Sequence, residues 1–247
     1  KSSLLNAGII PAAEAEGKYK PMRIRFGAWT QDAGHNPVEL ALSQIAPKKS
    51  ANTFLDKLIR DEPTLWHEIK EFQITQHDKK EAVGLLLIFD QFEELFTYPL
   101  DQVTEFKKQL AEALIANIPK RYADVLEQHF DQEQNVLGPE ELDLLQVQPD
   151  VKVVFAIRSD RMSLLNSMSD YLPNILKKCF ELLALDNTEA RRAIVEPASK
   201  ELDKLLTPPF KYTPEALDKI LGFLSKNGTE RIESFQLQIL CQSVEDK

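Results

Sequence analysis

Cysteine is nearly absent from this chain, and that scarcity excludes several chemistries at once. Cys179 and Cys241 are its only thiols in 247 residues, too few and too far apart for a disulfide framework or a thiolate metal knuckle. Reduced thiols and a cytoplasmic setting are therefore expected. The four histidines, His35, His67, His77 and His129, lack a metal-ligand spacing such as H-E-x-x-H and are expected to be solvated surface groups. No G-x-S-x-G elbow or Cys-His pairing points to covalent hydrolysis. No apolar run approaches the roughly 20 residues that span a bilayer, and the first residues carry neither a signal-peptide pattern nor a lipidation motif. Positive charge is in deficit: a net charge of −9 argues against broad nucleic-acid binding, because the phosphate backbone would be repelled. No internal repeat is present.

What remains is ample for one sizeable domain with a small appendage. An apolar fraction of 43% supplies a core and a charged fraction of 28% supplies solubility. Trp29, Trp66 and the thirteen phenylalanines read as core side chains rather than base-stacking platforms. The most informative stretch is Val83-Gly84-Leu85-Leu86-Leu87-Ile88-Phe89, apolar on both faces as a central parallel strand must be. It ends abruptly in Asp90, with Glu93 and Glu94 close behind. Ligands of open α/β sheets bind in the crevice beyond the carboxyl ends of strands, and a carboxylate there can hold a magnesium ion that bridges phosphates. The same acids would also suit an ordinary helix start, where negative charge favours the dipole.

Lys1-Ser2-Ser3, followed by Leu4-Leu5-Asn6-Ala7 with helical character, has the form of the tail of a phosphate-binding loop, G-x-x-x-x-G-K-S/T, without its glycines. In a complete loop, backbone N–H groups wrap the phosphates, the lysine reaches the terminal ones and the hydroxyl coordinates magnesium. By itself the fragment is weak. One α/β unit ahead of Asp90, it gains weight.

Taken in order, Lys1-Ser2-Ser3-Leu4-Leu5-Asn6-Ala7-Gly8, Asp90-Gln91-Phe92-Glu93-Glu94-Leu95-Phe96 and Ala156-Ile157-Arg158-Ser159-Asp160 resemble the NTPase domain of bacterial STAND proteins, signal-transducing P-loop ATPases, and within them the group called novel STAND NTPase 1. Phe180-Glu181-Leu182-Leu183-Ala184-Leu185 and the segment Glu189 to Ala198 resemble that family's junction between last strand and lid helices. The likeness spans nearly the whole chain, and its most specific part is the segment from Asp90 to Phe96. It implies that Lys1 is the phosphate lysine, that Ser2 supplies the magnesium hydroxyl beside Ser3, and that Asp90 is the Walker B carboxylate. It also implies that Glu94 activates the water, with Glu93 able to share that role, and that Arg158 senses the terminal phosphate. A salt bridge from Arg158 to Asp160 or Glu93 is the plain alternative. ATP or ADP and Mg2+ are the implied ligands, and the implied role is a slowly hydrolysing cytoplasmic signalling switch. Two other readings stay open: an interaction scaffold that binds nucleotide structurally or not at all, and an AAA-type remodelling ATPase.

The expected fold is a three-layer α/β P-loop sandwich with a mostly parallel sheet over 1–185, followed over 186–247 by a helical lid and the start of a winged-helix segment. A first helix is expected from Ser2 to about Gly8, stopping near Ile10-Pro11. A strand is expected over 21–29, where Met22, Ile24 and Phe26 alternate with Arg23, Arg25 and Gly27. Helices follow over 38–45, within 51–76 with an interruption at Pro63, and after Pro99. The acidic stretch 124–150 reads as helix and surface loop. Val151 to Ile157 and Phe180 to Leu185 are expected as the fourth and fifth strands. A sheet of this class needs a strand before the phosphate loop, so the natural protein is expected to extend upstream of Lys1. It is expected to extend downstream too, into sensor or repeat domains through which it self-associates or folds back on itself. Gln238 stands where family members often place a base-contacting proline. Lys48-Lys49 and Lys177-Lys178 read as solvated, as does Arg191-Arg192 on a lid helix, with the alternative that either arginine swings toward nucleotide.

Overall fold

The run that ends in Asp90 forms the middle strand of a parallel sheet. The computed structural model describes residues 2–31, 34–45, 53–58, 62–78, 83–131, 137–200, 208–226 and 228–245. Strand β1 spans Tyr19–Ile24, β2 Gly84–Asp90 and β3 Val151–Ala156, in the order β1-β2-β3 among the described residues. Tyr19 pairs with Gly84 and Ile24 with Phe89 on one side; Leu85 pairs with Val151 and Asp90 with Ala156 on the other. In β2 every residue except Leu86 is buried, which is why its sequence does not alternate. Gly84 is required by its neighbours, since a Cβ there would lie 2.5 Å from the Tyr19 ring and 3.0 Å from the Asp150 carbonyl.

Parallel neighbours need long crossovers, and helices supply them. The chain opens with α1 (Ser2–Leu4), a π-helical stretch over Leu5–Ile9 and α2 (Ile10–Glu16). The expected stop at Pro11 does not occur. Pro11 sits in the first turn of α2, where its missing N–H and fixed φ are tolerated. The helix ends instead at Gly17, whose φ of 69° closes the last turn by donating to the Ala13 carbonyl at 3.1 Å. Between β1 and β2 come α3 (Pro37–Ile45), a 3-10 turn over Phe54–Leu58 and α4 (Leu65–Asp78). Between β2 and β3 come a 3-10 turn over Phe92–Thr97, α5 (Leu100–Ile115), α6 (Lys120–Asp131) and α7 (Pro139–Gln146). Helix α2 packs on β1, α3 on β1 and α5, and α4 on α3 and α5.

Strand β1 lies two residues earlier than expected and is shorter. Gly27, at φ 73°, turns the chain away, although Phe26 is buried. Val103, Phe106, Leu110 and Ala113 form the buried stripe of α5, at the three- and four-residue spacing of a helix face. An aromatic cluster joins sheet to helix: Phe26 stacks on Phe89 at 5.8 Å and meets Phe106 edge-on at 5.1 Å, while Phe155 lies 5.4 Å from Phe89 and 4.5 Å from Phe92. Each fully buried side chain of this size contributes roughly 1.5–3 kcal/mol. Trp66 is fully buried and donates Nε1–H to the Asn117 carbonyl. Trp29 departs from the core reading, being 39% exposed. His67 departs the other way. It is buried on α4, with Nδ1 3.6 Å from Glu68 and Nε2 4.0 Å from Asp56, whereas His35 and His77 are exposed.

The chain folds as two compact units, Lys1–Cys179 and Phe180–Lys247. The second contains α8 (Asn187–Ala198), α9 (Pro214–Leu224) and α10 (Ser234–Glu245) around Ala190, Ile194, Leu217, Leu221, Ile232 and Leu237. Its first helix begins with a capping box: Asp186 accepts from the Glu189 N–H at 2.8 Å, and Glu189 accepts from the Asp186 N–H at 3.0 Å. The expected fifth strand over 180–185 does not form. Among the described residues only Leu185 bridges, antiparallel, to Ile232, and Phe180, Leu182 and Leu183 are exposed, so apolar content alone did not build a ladder there. Arg191 pairs with Asp218, and Arg192 with Glu196 one turn along its own helix. Gln238 lies on α10. No helix among the described residues is long and apolar enough to cross a membrane.

Candidate functional site

Asp90 is fully buried at the carboxyl end of β2, and three elements converge on its carboxylate. From α1, the Ser2 hydroxyl lies 2.9 Å from both Oδ1 and Oδ2. From β1, Arg23 donates Nε–H to Oδ2 at 3.1 Å and makes a second, short bond to the same oxygen through Nη2. Arg25, just past the end of β1, brings its Nε to 3.7 Å from that oxygen. The remaining arm of Arg23 reaches back to the start of the chain, where Nη1 donates to Asn6 Oδ1 at 2.9 Å. The Arg23 guanidinium thereby ties sheet to helix.

The parallel register explains why these arginines meet Asp90. Arg23 lies opposite Ile88 and Ile24 opposite Phe89. The polar residues of β1, which alternation alone marks as its solvent side, turn toward the acid at the end of the neighbouring strand. Arg23, Arg25 and Asn6 are therefore site residues that sequence reasoning missed. The available signal was two arginines at alternate positions of the strand preceding an Asp-ended apolar strand.

Immediately after Asp90 the chain bends sharply. Gln91 occupies the left-handed region at φ 56° and ψ 47°, an uncommon conformation for a residue with a Cβ, and its Oε1 is buried without a hydrogen-bond partner among the described residues. The bend starts the 3-10 turn that carries Glu93 and Glu94. That turn is fastened by the Glu94 N–H to the Gln91 carbonyl at 3.0 Å and by the Thr97 hydroxyl to the Glu94 carbonyl at 2.7 Å. Glu93 Oε2 is buried and likewise has no hydrogen-bond partner among the described residues, an arrangement that costs free energy unless something else satisfies it. Tyr98 donates its hydroxyl to the Phe26 carbonyl at 2.8 Å. Burial, together with the Glu94 charge, raises its pKa above the ordinary tyrosine value.

Arg158 stands two residues beyond Ala156, the β3 partner of Asp90. It forms a fork with Asp160 through Nε at 3.0 Å and Nη2 at 2.9 Å, with the side chain 61% exposed. That is the salt bridge the sequence offered as its plain alternative. Ser3 is exposed on α1, and Lys1 lies outside the described residues. The structure thus joins Ser2 to Asp90 by direct bonds, sets Glu93 and Glu94 on the turn leaving that strand end, and leaves Arg158 paired at the end of the adjacent strand. A cleft of about 420 Å³ bounded by Asn36, Glu39, Thr64, Gln109 and Arg121 contains none of these residues.

A hydroxyl from the opening helix is thus bonded to a buried carboxylate at the end of a central parallel strand. A family profile described as Novel STAND NTPase 1 matches residues 1–205. The chain belongs to the novel STAND NTPase 1 family. No curated protein and no solved structure matches it. Membership makes this an NTPase domain of the STAND type, a class that uses nucleotide with a divalent metal.

The donors present suit such a metal. Ser2 Oγ and the Asp90 carboxylate are hard oxygen ligands already within 2.9 Å of each other, the chemistry that magnesium prefers. The buried Glu93 oxygen is a further polar group in the turn that follows.

Proposed function

We propose that this STAND NTPase domain is an ATP-binding, slowly ATP-hydrolysing switch of a cytoplasmic signalling protein, with Mg2+ as its metal. The observation that carries the reading is the direct bonding of the Ser2 hydroxyl to the buried Asp90 carboxylate. It brings together residues separated by 88 positions that a magnesium nucleotide site must have side by side.

In this reading Ser2 and Asp90 hold the magnesium, Lys1 and Ser3 lie along the phosphates, and Glu94 orients the attacking water with Glu93 beside it. Bound magnesium would supply charge neutralisation across the phosphates. The residues' own work is positional. Asp90 is held by Arg23 and Ser2, and the bend at Gln91 starts the turn that carries both glutamates. Arg158 exchanges a surface pair with Asp160, which contributes little on its own, for the planar contact that a guanidinium offers to phosphate oxygens. A switch works through the different affinities of its conformations for ATP and ADP, so rapid turnover is unnecessary.

The test compares equilibrium ATP binding with magnesium-dependent phosphate release in the full-length natural protein and its Glu94→Gln variant. Retained binding with turnover lost by about 10²-fold or more supports the assignment. Unchanged turnover rejects Glu94 as the water-orienting acid, and absence of ATP binding in the parent rejects the switch in favour of a scaffold.

A further inference from the structure

We infer that Arg23 is the resident counter-ion of Asp90 and competes with the divalent cation for that carboxylate, so that Arg23 sets how tightly the site takes its metal. This rests on the reading of Asp90 as a metal carboxylate.

A carboxylate with no solvent exposure needs an opposing charge close by. Among the described residues, the cations within ion-pair distance of Asp90 are Arg23 and Arg25. Their roles differ. Arg25 reaches the carboxylate with a single long contact and is 47% exposed. Arg23 is 26% exposed and commits three nitrogens, with Nε and Nη2 on Asp90 Oδ2 and Nη1 on Asn6. Its guanidinium is therefore held on both sides and cannot leave Asp90 by a simple side-chain rotation without giving up both partners.

The two carboxylate oxygens are used unequally. Oδ2 takes all of the arginine contacts, while Oδ1 has none of them and shares the Ser2 hydroxyl with Oδ2. A divalent ion between Ser2 and Asp90 meets a carboxylate whose charge is already largely compensated, and it meets a fixed positive charge bonded to the same group. Two cations on one carboxylate repel each other, more strongly in a buried setting than in water. Arg23 thus stabilises the metal-free protein and weakens its hold on metal alone. The phosphates of a nucleotide, by adding negative charge, would tip the balance back toward the metal. The consequence is a site that fills with metal and nucleotide together.

The probe is Mn2+ alone, titrated into the nucleotide-free, full-length natural protein with free Mn2+ read by electron paramagnetic resonance. Arg23→Gln is expected to bind Mn2+ about tenfold more tightly than the parent, from the loss of one nearby positive charge. Arg23→Lys, which keeps the charge, should stay within about twofold of the parent by the same argument, and adding Asp90→Asn to Arg23→Gln should abolish the gain. An arginine that serves only packing would leave Mn2+ affinity the same or lower it.

Arg23→Gln affinity equal to or weaker than the parent's, with Asp90→Asn still weakening binding, overturns the counter-ion role alone. Mn2+ binding that ignores Asp90→Asn in both backgrounds overturns the metal reading of Asp90 beneath it. Should Arg23→Gln not fold in chelator, cooperative unfolding restored by Mn2+ supports the competition. Failure to fold with or without Mn2+, together with unchanged Mn2+ affinity in Asn6→Ala, where the anchor of Arg23 is cut without uncovering Asp90, rejects it.

Discussion

Replacing Asp90 by asparagine removes one charge and almost no volume from a fully buried position, so its effect on stability isolates the electrostatics of the site. The carboxylate accepts two N–H bonds from Arg23 and one from the Ser2 hydroxyl, and hydrogen bonds to a charged group contribute about 1.5–3 kcal/mol each. Removing one partner of a buried pair costs about 3–5 kcal/mol. Arg23 is about a quarter exposed, so water recovers part of its loss, and the asparagine carbonyl still accepts one bond. The expected net destabilisation is about 2–3 kcal/mol. Urea unfolding in chelator without nucleotide measures it, and a cycle with Arg23→Gln isolates the pair, whose coupling should be about 1–2 kcal/mol. A change below about 0.5 kcal/mol with coupling near zero would refute the claim that Arg23 compensates a buried Asp90 charge.

Other expectations follow from single features of the fold. Lys70 is fully buried, donates to the Gln73 side chain at 2.8 Å and to the Val147 carbonyl, and burial lowers its pKa from 10.5 to about 8. Between those values the unfolded chain holds a proton that the folded chain lacks, so this residue makes stability rise with pH by up to about 3 kcal/mol. Lys70→Met should remove that rise, and parallel pH dependences for parent and variant in denaturant melts would contradict it. Gly84→Ala places a methyl against the Tyr19 ring and the Asp150 carbonyl and should cost about 1–3 kcal/mol, whereas an unchanged urea midpoint would show that β1 and β3 yield without strain. Arg158→Ala breaks an exposed pair with Asp160 and should change stability by less than about 1 kcal/mol; a larger loss in the same melts would mean that Arg158 has a structural task.

Much of the first unit was legible from the chain alone, for reasons particular to its elements. Strand β2 announces itself because a segment covered on both faces leaves no polar position, and its end is marked by the abrupt change from Phe89 to Asp90. Helices α3, α4 and α5 carry apolar stripes at helical spacing, a local property that folding does not alter. Pro11 misled because its effect depends on its place within a helix, and the π-helical stretch before it puts the proline in a first turn. The segment 180–185 misled because apolar residues make a strand only when a neighbouring strand completes the ladder, and among the described residues one bridge to Ile232 is all that forms. His67 looked like a surface group because nothing in a single histidine's sequence context reports that α4 turns it inward.

The sequence by itself determined which groups are available: a hydroxyl at Ser2, a carboxylate ending an apolar strand, two acids on the turn after it, and an arginine beyond the following strand. Those follow from local pattern, since strand burial and turn composition are written residue by residue. Only the tertiary structure decided that Arg23 and Arg25 face Asp90, that Asn6 anchors Arg23, and that Arg158 is paired with Asp160. Such contacts depend on the register between β1 and β2 and on where the opening helix crosses the strand ends, distances set by the packing of segments far apart in the chain.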